Sequence, residues 1–202
     1  YEKAISLAGL TGNERVMDAY CGIGTIGLIA SRDAREVISV ELNPDAVRDA
    51  VTNAKRNQIK NVSFYQNDAG AFMVSMAEKG EKADVVFMDP PRAGSDEAFL
   101  SSVVTLSPKK VVYVSCNPET LARDLRYLTK HGYKAEEAWG YDMFAWSEHV
   151  ESIVLLSKLK SNKLKHINVE LEMDELDLMA AESKAIYAEV KDYVSEAKRI
   201  ES

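Results

Sequence analysis

Short apolar segments alternate with segments of helical periodicity along the first 131 residues of this chain. The apolar segments are rich in β-branched and aromatic residues, and they lie at 15–20, 36–41, 62–65, 83–88 and 111–114. Each is followed by a helical segment, the last of which spans 119–131. Such alternation predicts an α/β fold in which a parallel, doubly wound sheet carries helices on both faces.

Two further strands are predicted at 133–141 and 149–158, without a helix between them. Because consecutive strands joined by a short loop pair antiparallel, we expect these two at one edge of the sheet. The sequence therefore predicts a mostly parallel, seven-stranded sheet with an antiparallel edge strand.

The 202 residues suffice for one well-packed domain and a short appendage. We place the domain at 1–158 and an acidic strand–helix appendage at 159–202, with its strand at 167–173 and its helix at 182–200. The net charge of −7 argues against a self-sufficient nucleic-acid binder. The chain begins with what reads as the end of a helix, so we expect a fragment of a longer protein.

The cysteine content and the apolar runs bear on where the protein works. Cys21 and Cys116 lie far apart and form neither a metal-binding spacing nor a disulfide framework. No apolar run approaches the length of a membrane span. We expect two free thiols, no metal and a reduced, cytoplasmic setting.

A glycine-rich turn follows the first strand. Gly22, Gly24 and Gly27 match the pattern G-x-G-x-x-G at the point where the strand gives way to a helix. Glu41 ends the second strand 19 residues after Gly22, where a carboxylate can accept the ribose hydroxyls of an adenosine. This pattern fits both NAD and S-adenosylmethionine, and glycines also serve a tight turn without any ligand.

Acidic residues at other strand ends favour the methyl donor. Asp68 ends the third strand, where it can meet the adenine amino group. Asp89 ends the fourth strand in a stiff Asp-Pro-Pro-Arg loop beside the expected donor end, for which a dehydrogenase has no evident need. Asp18, just before the glycine turn, is placed to help hold the methionine amino group. We therefore expect S-adenosyl-L-methionine as the cofactor.

Cys116 follows the apolar strand at 111–114, and open α/β sheets have their active sites at the carboxyl ends of strands. A cysteine there is either a small packed hydrophobe or a nucleophile. With a methyl donor, a thiol points to carbon methylation of a pyrimidine. A thiolate that adds to carbon 6 makes carbon 5 nucleophilic, and the carbon 5 proton must then leave to a base.

The candidate base is Glu151 at the start of the last strand, with His149 as the other possibility. An ordinary exposed carboxylate at a sheet edge is the alternative interpretation of Glu151. The preceding segment 142–147 contains aromatic residues that are suited to stacking a flipped base, or to covering the sheet edge as a hydrophobic lid.

Four ordered motifs within residues 1–158 resemble the RNA 5-methyluridine methyltransferases. They are DAYCGIGT at 18–25, DPPRAG at 89–94, VSCNPETLARDL at 114–125, and DMF at 142–144 with HVES at 149–152. The resemblance implies a Rossmann-like class I S-adenosylmethionine-dependent methyltransferase fold and an RNA substrate. It implies Cys116 as nucleophile, Glu151 as base, and Tyr20, Glu41 and Asp89 as residues that contact the donor.

The resemblance is nearer to the ribosomal RNA branch, which implies 23S rRNA as the partner, with transfer RNA as the alternative. Residues 145–147 read Ala-Trp-Ser where the family usually has Pro, a ring residue and Thr. Family members usually also carry an amino-terminal RNA-binding barrel, often an iron–sulfur cluster, and a donor-binding Gln just before the position of Tyr1. This chain is thus expected to be a catalytic domain without its RNA-binding half.

Three other functions compete with uracil-5 methylation. An amino-group methyltransferase would use the Asp-Pro-Pro loop at 89–91 but would not need Cys116. A cytosine-5 enzyme more often has Pro-Cys in the loop after the fourth strand, where this chain has Pro91-Arg92. A non-catalytic RNA-binding or donor-sensing module would need neither Cys116 nor Glu151.

Overall fold

The computed structural model describes residues 1–143 and 150–160 of the chain. The helices are α1 (Glu2–Ala8), α2 (Thr25–Ala30), α3 (Pro44–Arg56), α4 (Ala69–Glu78), α5 (Glu97–Leu106) and α6 (Pro118–Lys130). The strands are β1 (Arg15–Ala19), β2 (Glu36–Glu41), β3 (Val62–Gln66), β4 (Val85–Met88), β5 (Lys110–Ser115), β6 (Tyr133–Tyr141) and β7 (Glu151–Lys158).

The seven strands form one sheet in the order β3-β2-β1-β4-β5-β7-β6. The first five pair in parallel, whereas β7 pairs antiparallel with both β5 and β6. The predicted doubly wound α/β fold with an antiparallel element at one edge is therefore confirmed. The antiparallel strand β7 lies one position inside the edge, and β6 forms the edge itself.

Helices cover both faces of the sheet, and the central strands are buried on both sides. Along β4 the side chains alternate: Val86 and Met88 pack with α4, α5 and α6, whereas Val85 and Phe87 pack with α1 and α2. Burial on both faces explains why the parallel strands are continuous apolar runs rather than alternating ones.

Side-chain caps fix where several helices begin. Asn43, Asp68, Asp96 and Asn117 each accept a hydrogen bond from a backbone N–H in the first turn of the helix that follows. Proline occupies the first position of α3 and α6, where its fixed φ suits a helix start. These caps hold the loops that follow β2, β3, β4 and β5, at the edge where the predicted site residues lie.

Among residues 1–143 and 150–160, no helix is long and apolar enough to cross a membrane. The predicted appendage strand at 167–173 and helix at 182–200 lie outside the described residues, so the boundary proposed at residue 158 stays a prediction.

Candidate active site

The glycine turn between β1 and α2 has an open side and a closed side. Gly22 and Gly24 both have positive φ, 52° and 87°. No atom lies within 4 Å of a Cβ built on Gly22, which faces open space. A Cβ on Gly24 would lie 3.1 Å from Phe64 and 3.2 Å from Ala50. Gly22 thus leaves its backbone accessible to a ligand, while Gly24 allows α2 and α3 to pack closely.

Asp18 is a buried carboxylate that is hydrogen-bonded to this turn. Its Oδ2 accepts a hydrogen bond of 2.8 Å from the backbone N–H of Gly27, and its side chain is completely buried. Its Oδ1 is buried without a hydrogen-bond partner among the described residues. Burial raises the pKa of Asp18 to about 7. The hydrogen bond that the structure shows for Asp18 is therefore with the glycine turn, and its expected help in holding the methionine amino group stays a prediction.

Glu41 lies at the rim of the turn and is fixed there by two backbone amides. Its Oε2 accepts from the N–H of Gly22 at 3.0 Å, and its Oε1 accepts from the N–H of Asn43 at 2.9 Å. Each oxygen retains a second lone pair, and the side chain is only half-buried. The carboxylate is therefore preorganised to accept two hydroxyl groups of a ribose.

Asp68 and Tyr20 differ in how far they are accessible. Asp68 is exposed, and its Oδ1 accepts from the N–H of Ala71 at 2.8 Å as the cap of α4. Tyr20 has a positive φ of 61°, and its ring packs on Phe99 with centroids 4.7 Å apart. Burial raises the pKa of Tyr20 to about 12. The ring of Tyr20 is thus half-buried against α5, and its neighbourhood is not evident from sequence.

Cys116 and Glu151 each adjoin the last residue pair of the antiparallel strands β5 and β7. The β5–β7 register ends with Ser115 opposite Ser152. Cys116 directly follows β5, and Glu151 is the first residue of β7. Both side chains are half-buried. Burial raises the pKa of Glu151 above its ordinary value. Two residues 35 positions apart in sequence therefore form one constellation.

Asp89 lies close enough to Glu151 for the charge of that carboxylate to shift its pKa. Burial, and then the negative charge of Glu151, raise the pKa of Asp89 to about 6. Asp89 ends β4, which pairs with β1 on one side and β5 on the other. It therefore lies between the glycine turn and the cysteine.

A profile of the tRNA (Uracil-5-)-methyltransferase family matches residues 3–159. The chain belongs to this family. It is 48% identical over 156 residues to an uncharacterized RNA methyltransferase of Halalkalibacterium halodurans, covering 77% of this chain and 34% of that protein. It is also 48% identical over 159 residues to one of Caldanaerobacter subterraneus subsp. tengcongensis, covering 79% and 35%. The chain spans about a third of the length of these curated relatives.

Solved structures of methyltransferases share the fold of this chain. The tRNA (uracil-54, C5)-methyltransferase of Pyrococcus abyssi, in complex with S-adenosyl-L-homocysteine, superposes with a TM-score of 0.65 at 30% identity, covering 77% of this chain and 37% of that one. The precorrin-6y C5,15-methyltransferase of Geobacter metallireducens, at 17% identity and a TM-score of 0.62, shares the fold, covering 78% and 86%.

The family motif TLARD at 120–124 has a structural function that sequence alone did not assign. Thr120 and Asn117 donate to the carbonyl of Arg92 at 3.3 and 3.2 Å, and Arg123 donates to the carbonyls of Ala93 and Ser95 at 3.1 and 2.7 Å. The loop after β4, with Asp89, is thereby joined to the loop after β5, with Cys116.

The candidate base His149 and residues 144–147 of the aromatic loop lie outside the described residues, and Asp142 and Met143 lie within them. Met143 is 70% exposed. The assignment of a base-stacking function to this loop stays a prediction.

Proposed function

We propose that this chain transfers a methyl group from S-adenosyl-L-methionine to carbon 5 of a uridine in RNA. The observation that carries the proposal is that Cys116 and Glu151 both adjoin the last residue pair of β5 and β7, with the charge of Glu151 reaching Asp89. A nucleophile and a base at the same edge of the sheet as a donor site are what carbon 5 methylation requires.

The cofactor site is proposed along the ends of β1 to β4. Gly22 gives an open backbone, Glu41 takes the ribose hydroxyls, and Asp68 lies at the expected position of the adenine. Tyr20 and Asp89 complete the donor side. Membership in a family with a relative solved in complex with S-adenosyl-L-homocysteine supports this assignment. When bound, the cofactor supplies an electrophilic methyl group.

The residues of the chain act in two stages. The thiolate of Cys116 forms a bond with carbon 6 of the uracil, and the electron pair of the carbon 5–carbon 6 bond becomes available at carbon 5 to take the methyl group. Glu151 then removes the proton from carbon 5, the double bond re-forms, and the thiolate leaves. Burial raises the pKa of Glu151, which makes its carboxylate a stronger base than an exposed one.

The substrate is proposed to be 23S rRNA, with transfer RNA as the alternative. The proposal rests on the TLARD and DMF forms of the motifs at 120–124 and 142–144. Mass mapping of 5-methyluridine in both RNAs, from cells with and without the gene, tests it. Loss from 23S rRNA alone is expected, whereas loss from transfer RNA alone would assign the alternative.

An amino-group methyltransferase is the second candidate, because an Asp-Pro-Pro loop also suits a site that binds an amino group. The full-length gene product with Cys116→Ala separates the two. Uracil-5 methylation should fall below detection while S-adenosylmethionine binding is retained. An enzyme that methylates an amino group would keep its activity.

A further inference from the structure

Asp124 is a buried carboxylate that takes no part in the proposed mechanism. It lies on α6 and is completely buried, on the same helix face as Leu121 and Leu128. A charge in such a position is costly unless every lone pair is hydrogen-bonded. Its presence there calls for an explanation beyond packing.

Three hydrogen-bond donors and one further guanidinium nitrogen surround this carboxylate. Oδ2 accepts from the hydroxyl of Tyr113 at 2.6 Å and from the backbone N–H of Ser95 at 2.7 Å. Oδ1 accepts from Nε of Arg123 at 2.8 Å, and a terminal guanidinium nitrogen of Arg123 forms an ion pair with the same oxygen at 2.8 Å. The carboxylate of Asp124, which lies on α6, is therefore hydrogen-bonded both to β5 and to the loop after β4.

Arg123 extends this connection to the backbone of the loop after β4. It donates to the carbonyls of Ala93 and Ser95 while it is paired with Asp124. Gly94 lies against the pair: its φ is +74°, and an added Cβ would be 2.6 Å from the guanidinium and 2.9 Å from Oδ2 of Asp124. The loop is thus seated directly on the Arg123–Asp124 pair, which we call the clamp.

The clamp lies between the two halves of the proposed site. Tyr113 is three residues before Cys116 on β5, and Ser95 is six residues after Asp89 on the loop that follows β4. Cys116 and Glu151 are held together independently, by the pairing of β5 with β7. Asp89 directly follows β4, whose pairing with β5 ends at Met88 and Tyr113. Beyond that last pair, the loop after β4 is held to the β5 side by the clamp and by the hydrogen bonds of Asn117 and Thr120 to Arg92.

We propose that Asp124 is a positioning residue, which through Arg123 and Tyr113 sets the distance between the donor side at Asp89 and the uracil held by Cys116. The proposal rests on the function proposed above. It makes Asp124 dispensable for addition of the thiol to the base and necessary for methyl transfer. A displacement of about 1 Å between reacting groups lowers a rate on the order of 10²-fold.

The test compares two reactions of the full-length gene product. Exchange of the carbon 5 hydrogen of uridine with water, without donor, requires Cys116 and Glu151 only. Methyl transfer in a single turnover also requires the donor side. Asp124→Asn should lower methyl transfer about 100-fold and change hydrogen exchange and S-adenosylmethionine affinity less than threefold. Arg123→Ala should do the same, and the double variant should be no worse than either.

Asp84→Asn is the matched control. Asp84 also accepts from a backbone N–H and pairs with a basic residue, Lys109, but it lies at the opposite end of β4. The substitution Asp84→Asn should leave the rates of hydrogen exchange and methyl transfer unchanged. Methyl transfer at the wild-type rate in Asp124→Asn, or equal losses in both reactions, would overturn the positioning function alone. A wild-type protein that shows neither reaction with uridine would overturn the proposed function as well.

Discussion

At the scale of single residues, the site is built from side chains that strand ends hold in place. Cys116 and Glu151 become neighbours only because β7 runs antiparallel to β5. Glu41 is fixed by two amides of the loops that it faces. Each of these residues is accessible, whereas Asp18 and Asp124 are buried beneath the loops. The half-buried residues are assigned to chemistry and the fully buried ones to support.

Glu41 should be required for binding of S-adenosylmethionine. Replacing it with Ala removes the acceptor for the ribose hydroxyls and leaves the N–H of Gly22 without its partner. We expect a loss of affinity on the order of 10- to 100-fold by calorimetry, since hydrogen bonds to charged groups contribute about 1.5–3 kcal/mol.

Glu36→Ala is the control for that experiment. Glu36 is a carboxylate at the other end of the same strand, where it pairs with Arg15 at 3.1 Å. Its loss should leave the affinity unchanged. Equal affinity of Glu41→Ala and the wild type would remove Glu41 from the site.

Asp18 should make stability fall as pH rises. Its pKa is raised from 3.8 to about 7 by burial. Because the folded state binds the proton more tightly than the unfolded chain, its contribution is fully present below about pH 4 and is lost as pH rises through 7. The loss is on the order of 4 kcal/mol, since a tenfold change in proton affinity is worth about 1.4 kcal/mol. Asp18→Asn should flatten this decline.

Thermal unfolding between pH 4 and pH 8 measures the effect. Asp84 supplies a control of opposite sign: although burial opposes it, hydrogen bonds from Lys109 and Arg15 lower the pKa of Asp84. Asp84→Asn should therefore cost stability above pH 4. An unchanged pH profile in Asp18→Asn would show that this carboxyl is not the group that titrates.

At the scale of elements, the sequence determined the strands and helices well because their signals are local. Apolar runs placed the seven strands of the described residues within about two residues of their observed bounds, and the Asn117-Pro118 cap did the same for the helix predicted at 119–131. The insertion of β7 between β5 and β6 was not readable, because strand order depends on long-range pairing. The clamp was missed for the same reason, although Asp124 at the spacing of Leu121 and Leu128 was a signal for a buried charge.

The packing of α2 on β1 and β2 depends on Gly27. A Cβ there would lie 2.6 Å from Oγ of Ser39 and 2.9 Å from Oδ2 of Asp18. Gly27→Ala should therefore lower the free energy of unfolding by about 1–3 kcal/mol through overpacking. Ser39→Ala combined with Gly27→Ala removes the nearer clash and should recover part of the loss, as measured by denaturant unfolding. A more stable Gly27→Ala would contradict the observed closeness of the turn.

At the scale of the whole molecule, the negative net charge limits how tightly the chain alone can bind RNA. Residues 161–202 hold 10 acidic and 6 basic residues, so they contribute −4 of the net charge of −7. Since RNA binding depends on neutralising phosphates, we expect the 202-residue chain to bind RNA weakly.

Removing 161–202 should raise the affinity for RNA severalfold at low salt and leave S-adenosylmethionine binding unchanged. Fluorescence anisotropy with labelled RNA measures this, and a loss of affinity would instead assign the tail to RNA contact.

The covalent mechanism is tested most directly by trapping its intermediate. Glu151 acts after methyl transfer, so Glu151→Gln in the full-length gene product should add the thiol, transfer the methyl group and stop before elimination. With radiolabelled donor, a denaturing gel should then show a labelled protein–RNA adduct. Cys116→Ala combined with Glu151→Gln should show none. Normal turnover by Glu151→Gln, or a labelled adduct that persists without Cys116, would contradict the assignment of these two residues.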